Sequence, residues 1–283
     1  MTNNGLMKTK RGAVKAERVF TKKKHRTAAA AVAGKIVSAA AVAAFWLGLW
    51  ALLALRTGSE LLLPSPFAVF GRLVRLAGSA DLWKATGLTL VRITIGYAAG
   101  ALAGTGLAAL TAWSRHAFVL ARPLGRIVKA TPVASFIILA LVWIPANNIP
   151  SFIVFLLVTP IIWDSLRTAL LETDRRLLEM ASAYGFGPGK TIRHVYVPSV
   201  SGQYVSSLLT ALALAWKSGI AAEVLCLPGI SVGRRLYESK IYLETVDLFA
   251  WTTLVVILSV LMELLIRASV KRFTSGREGG ADD

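Results

Sequence analysis

Long uncharged stretches recur along the chain at intervals that suit a membrane rather than a soluble core. A hydrocarbon core of about 30 Å needs about 20 apolar residues in a helix, so the uncharged stretch at 130–163, about 51 Å as one helix, predicts two crossings. Its break is predicted at PANNIP, residues 145–150, because prolines and asparagines favour turns. Six spans are predicted, at residues 36–55, 93–113, 127–144, 150–171, 198–222 and 248–266.

Two features refine this pattern. Gly96, Gly100 and Gly104 repeat every four residues, and small residues at that spacing allow a second helix to approach closely in lipid. Packing within the chain is favoured over a dimer interface for these glycines. Residues 67–77 are amphipathic but too short to cross, so they predict a surface helix on the outside.

The basic residues orient the spans. The chain has 32 Lys and Arg, 15 Asp and Glu, a net charge of +17 and 55% hydrophobic residues. With a cytoplasmic N-terminus, 23 of the 32 cations lie inside: 10 before the first span, 4 at 115–129, 5 at 167–193 and 4 after 266. The positive-inside rule therefore predicts a multi-pass protein of the cell (inner) membrane with both termini in the cytoplasm.

The ends of the predicted spans divide the chain into four regions. They are a basic cytoplasmic tail at 1–35, a first transmembrane helix with an external linker at 36–62, a transmembrane domain at 63–273 and a cytoplasmic tail at 274–283. The N-terminal tail is interpreted as a topology determinant. Binding of anionic lipid or nucleic acid by the tail is the alternative. Membrane lipid is a predicted partner of the whole chain, and nucleic acid is not.

The sequence offers no basis for catalysis or for a bound cofactor. Cys226 is the single cysteine, and the three histidines lack Cys or carboxylate neighbours at metal-ligand spacing. GxSxG, P-loop and HExxH motifs are absent from the sequence. No catalytic, cofactor-binding or metal site is predicted, and any energy source is expected on another chain. An integral membrane enzyme ranks lower as an alternative.

One charged, glycine-rich segment interrupts the apolar pattern at residues 172–198. Apolar positions at helical spacing predict a short helix over 174–184, capped by Thr173 or Asp174 and ended by Gly185 in a left-handed conformation. GFGPG then turns the chain into a second short helix at 190–196, and Pro198 permits a new helix to enter the membrane. The segment predicts a compact cytoplasmic knob for a partner's cleft, or an interfacial elbow without a partner.

This segment resembles the EAA motif of the permease subunits of ATP-binding-cassette (ABC) importers: E-A-A, three residues, G, nine residues, I, one residue and L-P. The matching positions are Glu179, Met180, Ala181, Gly185, Val195, Val197 and Pro198. Met180 departs from the motif's alanine, the two valines are mild changes, and the spacing is intact. The resemblance implies an all-α polytopic fold of the type I ABC importer permease.

Further stretches are similar to the branch that imports nitrate, aliphatic sulfonates and taurine, which also includes permeases for thiamine-precursor pyrimidines. They are LPSP at 63–66, TLVRITIGYAAG at 89–100, PLGRIVKATPVASFIILALVWI at 123–144 and AE at 222–223. IPANNIP departs from the Phe-Gly-containing turn usual there. The likeness extends over about residues 63–273.

The resemblance implies an importer with two permease subunits, taken as a homodimer, two ATPase subunits that bind ATP and Mg, and an external substrate-binding protein. In the ATPase cleft, Glu179 would make polar contacts, Ala181 would permit close approach and Gly185 would supply the turn. Met180 could pack where the usual small residue sits. The chain itself would not be an enzyme.

Three polar residues within or beside apolar stretches are candidates for the translocation pathway: Arg92, Lys217 and Glu223. Intramembrane charges usually face a bundle interior or a watery cavity. Lys217 either snorkels to the outer interface or lines the pathway and attracts an anion. Six residues separate it from Glu223, which places the two on different faces of one helix. The predicted solute is a small anion, with a pyrimidine or another small metabolite as the alternative.

Overall fold

The computed structural model describes residue 38 and residues 40–278, with side-chain surroundings up to residue 264. The tail predicted at 1–35, positions 36, 37 and 39 of the first span and residues 279–283 lie outside the described residues. The described part of the chain is helical and contains no strand. Five of its helices are long and apolar enough to cross a membrane, or six if one bent pair counts as a single span. The chain is therefore an all-α polytopic membrane protein.

The chain divides into two units, residues 1–66 and 67–283. The described part of the first unit contains α1, Ala40–Thr57, which agrees with the first predicted span. Trp50 donates from Nε1 to the carbonyl of Pro64 at 3.1 Å, which closes the segment after α1 back onto the helix.

The second unit contains ten α-helices among its described residues, one of them preceded by a π-helical turn. The shorter helices are α2 (Pro66–Ala77), α4 (Arg115–Ala130), α5 (Val133–Ala140), α7 (Arg175–Ala183), α8 (Pro188–Thr191) and α10 (Val232–Ile241). The longer ones are α3 (Ala80–Trp113), α6 (Ile149–Leu171), α9 (Val197–Cys226) and α11 (Thr245–Glu278). Helix α2 confirms the short helix predicted at 67–77, whereas α10 was not predicted.

Helix α3 begins well before the predicted second span. Ser79 caps it by accepting a hydrogen bond from the Leu82 N–H, and Asp81 lies in its first turn, where the helix dipole favours an anion. No proline interrupts the following residues, so Arg92 lies inside α3. The predicted start at residue 93 is wrong because a charge marks the edge of an apolar run, not the end of a helix.

The most extensive helix contact in the unit joins α3 and α6 through the three predicted glycines. A Cβ atom at Gly96 would lie 2.3 Å from the Ser151 carbonyl oxygen, and one at Gly104 would lie 2.6 Å from that of Thr159. Ser151 also donates from Oγ to the Arg92 carbonyl at 2.8 Å. The predicted packing within the chain is confirmed. Helices α3 and α6 run parallel, since residues later in α3 contact residues later in α6.

The predicted third span is not one straight helix. Helices α4 and α5 meet at 103° across Thr131 and Pro132. Pro132 has no N–H to donate and disfavours helical geometry in the residue before it, and Thr131 is extended, with φ −86° and ψ 131°. The sequence pattern predicts a break only at 145–150. That break is also present, with α6 beginning at Ile149 after a turn in which the Asn148 N–H bonds to the Pro145 carbonyl.

The fifth span is also different from its prediction. Helix α8, a π-helical turn at Ile192–Tyr196 and α9 form one continuous helix from Pro188 to Cys226. Pro198 therefore does not start a separate helix. Proline would clash with the carbonyl four residues earlier in a regular helix, and the wider π turn lies directly before it.

The core lies where α3, α6, α9 and α11 meet. Ile93, Val154, Val158 and Ile162 are fully buried there, and aromatic and small side chains of α9 and α11 complete the cluster. Trp216 of α9 donates from Nε1 to the Val255 carbonyl of α11 at 3.3 Å. The polar edge of this indole therefore has a partner inside the bundle.

Replacing Gly104 by Ala is expected to lower the stability of the purified permease by about 1–3 kcal/mol, because the new Cβ forces α3 and α6 apart. Gly106→Ala is the matched control, since no atom of the described residues lies within 4 Å of a Cβ at that position on the same helix. Melting temperatures of the two variants in the same detergent check this expectation. Equal values would contradict the packing role of Gly104.

Candidate functional site: an exposed loop and a buried polar cluster

The loop after α6 folds as the sequence predicts through its first helix and turn. Asp174 is the cap of α7, since its Oδ1 accepts the Arg176 N–H at 2.9 Å, whereas the Thr173 hydroxyl donates back to the Ala169 carbonyl. Gly185 ends the helix in the left-handed conformation with φ +68°. The N–H groups of Gly185 and Phe186 bond to the carbonyls of Ser182 and Ala181, which is the Schellman arrangement.

Motif residues of this loop fall into two groups by exposure. Ala181 is 1% exposed and Val195 is 5% exposed, and α7 packs against the π turn that contains Val195. Glu179 and Met180 are exposed on the surface of α7. Ala181 is therefore accommodated inside the loop, while Glu179 and Met180 are the positions open to a partner.

The second half of the loop belongs to the long helix that enters the bundle. The rings of Phe186 and His194 pack edge to face with centroids 6.2 Å apart, so the turn after α7 contacts the π turn. From Pro188 the helix continues without interruption to Cys226. At 1.5 Å per residue, its 39 residues extend about 58 Å from the loop to the far side of the bundle.

Arg92 and Glu223 lie together, 131 residues apart in sequence, in a buried polar cluster. The Glu223 carboxylate is fully buried and accepts hydrogen bonds from Thr89 Oγ1 at 2.9 Å, the Gly233 N–H at 3.1 Å and Arg92 Nη1 at 3.3 Å. Arg92 Nη1 also donates to the Ile230 carbonyl at 2.8 Å. The cluster joins α3, α9, the loop after α9 and the start of α10.

Two residues of this cluster, Thr89 and Gly233, are not among those predicted from the sequence. The Thr89 hydroxyl accepts the Val232 N–H at 3.1 Å while it donates to Glu223. A Cβ at Gly233 would lie 2.3 Å from the Glu223 Cβ, so only glycine fits there. Thr89 could have been found from its position three residues before Arg92 on the same helix face. Gly233 carried no such signal.

Lys217 is separate from this cluster. It is exposed, and no ion-pair partner for it occurs in the described part of the chain. The exposed face of α9 that contains Lys217 consists of small or polar residues at helical spacing: Gln203, Ser206, Thr210, Ala213, Lys217 and Ala221. A cavity of about 310 Å³ between α9 and α11 opens beside this face and is lined in part by Thr210, Ser259 and Glu263.

Ion pairs join the shorter helices to the bundle. Arg72 of α2 binds Asp247 of α11 through two nitrogens, at 2.5 and 2.6 Å, and Arg235 of α10 binds Asp81 of α3 at 2.6 Å. Partial burial alone would raise the pKa of Glu238, but hydrogen bonds from Arg234 and Arg235 hold its pKa below the ordinary value. These contacts fix α2 and α10 against the ends of α3 and α11.

The family model for the binding-protein-dependent transport system inner membrane component matches residues 96–275, which include the loop, the motif positions and Glu223. The chain belongs to this family. A probable ABC transporter permease protein of Brucella abortus is 25% identical over 233 residues, covering 82% of this chain and 92% of the relative. The chain is thus an ABC importer permease and an integral inner-membrane protein.

Two relatives in Escherichia coli have named substrates. The taurine transport system permease protein TauC is 22% identical over 232 residues, covering 80% of this chain and 84% of TauC. The putative aliphatic sulfonates transport permease protein SsuC is 26% identical over 192 residues, covering 66% of this chain and 71% of SsuC. Both belong to the branch that the sequence resembles.

Solved structures agree with the fold. An amino acid ABC transporter crystallised with histidines has a TM-score of 0.55 at 16% identity, over 67% of this chain and 91% of that chain. The inward-facing MetNI methionine ABC transporter has a TM-score of 0.51 at 19% identity, over 72% of this chain and 95% of that chain. The bundle described above is therefore the fold of ABC transporter permeases.

Glu223→Ala is expected to destabilise the permease by about 3–5 kcal/mol, because Arg92 and the Gly233 N–H lose the carboxylate that they bind in a buried site. Glu172→Ala, at an exposed position after α6, is the control for loss of one carboxylate. Thermal unfolding followed by tryptophan fluorescence compares the two. A Glu223→Ala variant as stable as the control would show that the cluster is not structural.

Proposed function

We propose that this permease is half of the membrane domain of an ATP-driven importer for a small organic anion of the sulfonate class. Two copies of the chain would form the pathway, a separate ATPase would bind ATP and Mg, and an external protein would deliver the solute. The observation that supports the importer role is the exposed loop at 172–198, which combines the EAA spacing with a turn closed by the hydrogen bonds of Gly185 and Phe186.

In this proposal the loop seats in a cleft of the ATPase. Glu179 supplies a carboxylate and Met180 an adaptable apolar surface at the contact, and Met180 is 48% exposed. Ala181 and Val195 hold the loop together from inside, and Gly185 fixes its shape. Because the loop continues into α9, a movement of the ATPase would displace a single long helix that reaches the buried cluster at Glu223.

The orientation follows from the same proposal. The loop and both termini lie in the cytoplasm, in line with the excess of basic residues predicted on that side. The cluster of Arg92 and Glu223 then lies toward the outside, where it holds α10 and the preceding loop against α3. These two residues act as structural anchors in this proposal and do not contact the solute.

Lys217 supplies the charge that selects an anion. It projects from the small polar face of α9, and an unpaired ammonium in a membrane helix is stable only beside water or an anion. Taurine and aliphatic sulfonates, named for TauC and SsuC, carry a sulfonate that an ammonium can bind. A pyrimidine or another neutral solute is the alternative, which would make no use of this charge.

Gly185→Ala is expected to weaken docking of the ATPase about five- to thirtyfold, because the left-handed conformation costs a residue with a Cβ about 1–2 kcal/mol. In the part of the chain that the structure describes, no atom lies within 4 Å of a Cβ at Gly185 or at Gly187, whose φ is −68°. Gly187→Ala is therefore the matched control, and Gly185→Asn should retain most docking.

Recovery of the ATPase with the purified permease, and ATP hydrolysis stimulated by the external binding protein, are the measurements for this comparison. If Gly185→Ala and Gly187→Ala recover equal amounts of ATPase, the loop does not act through its turn geometry. The proposed docking role would then be lost.

Lys217→Met is expected to reduce ATP-dependent uptake of a sulfonate at least about tenfold, whereas Lys217→Arg retains uptake, because a charge-assisted contact contributes about 1.5–3 kcal/mol. Lys240→Met, on an exposed position of α10, is the control for loss of one ammonium. Uptake of labelled taurine into proteoliposomes with equal amounts of assembled complex is the readout. Wild-type uptake by Lys217→Met would contradict anion selection by this residue.

A further inference from the structure

Helix α4 presents four cations on one narrow face. Arg115, Arg122, Arg126 and Lys129 fall within an arc of about 60° at 100° per residue. The exposed apolar residues Leu120, Leu124 and Ile127 lie on the opposite side of the same helix. No residue of α4 is buried, so both faces are open in the described chain.

The basic face adjoins a cleft of about 180 Å³ between α4 and α6. Two arginines flank the Phe118 ring at the edge of this cleft: the Arg167 guanidinium is 3.6 Å from the ring centroid and that of Arg122 is 5.6 Å away. Lys129 pairs with Asp164 across the cleft. Arg122 and Arg126 line it without a carboxylate partner among the described residues.

The depth of α4 relative to the membrane is set by its neighbours. The apolar run of α3 ends at Trp113, and α4 begins two residues later. At this level Trp163 of α6 donates to Thr111 Oγ1 at 2.7 Å, and Arg167 donates to the Thr111 carbonyl at 3.3 Å. Gly125 of α4 packs against the Trp163 ring. The basic face therefore lies level with the end of the apolar run of α3, where lipid headgroups would begin.

We infer that the cleft formed by Phe118, Arg122, Arg126 and Trp163 binds the phosphate of an anionic phospholipid. The Arg122 and Arg126 guanidiniums would bind the phosphate oxygens, while Leu120, Leu124 and Ile127 lie against the acyl chains of neighbouring lipids. Arginine suits this role because its planar fork binds phosphate through two parallel hydrogen bonds. Lys129 is neutralised by Asp164 and contributes less.

The two faces of α4 favour a lipid over an acidic protein. A helix with cations on one side and exposed leucine and isoleucine on the other is suited to the boundary between headgroups and hydrocarbon. An acidic protein surface would pair with the arginines but would leave the opposite apolar face without an apolar partner. The bound lipid would hold α4 against α6, just before the 103° bend that leads to α5.

Arg122→Gln/Arg126→Gln tests the inference in the full permease, with the basic tail intact. Two lost cations at about 1 kcal/mol each predict about a thirtyfold weaker affinity for phosphatidylglycerol. Arg75→Gln/Lys84→Gln, at exposed positions on α2 and the start of α3, removes the same charge elsewhere. Native mass spectrometry of delipidated protein titrated with phosphatidylglycerol or phosphatidylcholine measures the affinities.

The inference requires wild type and the Arg75→Gln/Lys84→Gln control to prefer phosphatidylglycerol, and the Arg122→Gln/Arg126→Gln variant to lose that preference. Undiminished preference in the latter variant would overturn it. Displacement of phosphatidylglycerol by millimolar inorganic phosphate would instead identify a free-anion site. Loss of ATPase co-purification with unchanged lipid affinity would assign the face to a protein partner and would also overturn the inference.

Discussion

The close contact between α3 and α6 is the constraint on which the rest of the bundle depends. In lipid, apolar helices gain little hydrophobic free energy by associating, because the lipid tails around them are also apolar. Association therefore relies on dispersion contacts, which need short distances between backbones. Gly96, Gly100 and Gly104 provide those distances, and any Cβ there would meet α6 at 3.0 Å or less. With α3 and α6 parallel, α9 and α11 pack against them around Ile93 and Val158.

The polar contacts depend on the same arrangement. The buried Glu223 carboxylate is tolerable only because α3 brings Thr89 and Arg92 to it and because Gly233 leaves space for its side chain. The result is a permease in which one helix, continuous from Pro188 to Cys226, has an exposed loop at one end and a closed polar cluster near the other. Such a helix can carry a displacement from a partner into the membrane, as the proposed function requires.

Local features of the sequence predicted local structure well. The cap at Asp174, the left-handed Gly185, the glycine face of α3 and the break at 145–150 were all predicted from short-range rules, and the structure contains each of them. The errors arise where one local rule was applied without regard to the residues around it. The charge of Arg92 ends an apolar run but not a helix, and Pro132 bends the chain although the apolar run continues across it.

The remaining features depend on contacts that no local pattern contains. Arg92 and Glu223 were each selected as polar residues in apolar surroundings, but their pairing across 131 residues needed the packing of α3 against α9. The fit of Gly233 against Glu223 has the same origin. Exposure of the two sides of α7 likewise became known only from the folded loop, which buries Ala181 and exposes Met180.

Cross-linking from the exposed surface of α7 tests the central claim, that this loop couples the permease to an ATPase, most directly. Met180→Cys, in a chain with Cys226→Ser, would be oxidised in membranes containing the co-expressed ATPase with single cysteines in its surface cleft. We predict a permease–ATPase adduct from Met180→Cys and none from Tyr242→Cys, which is 71% exposed at the end of α10. An adduct from Tyr242→Cys and none from Met180→Cys would contradict both the coupling role and the orientation.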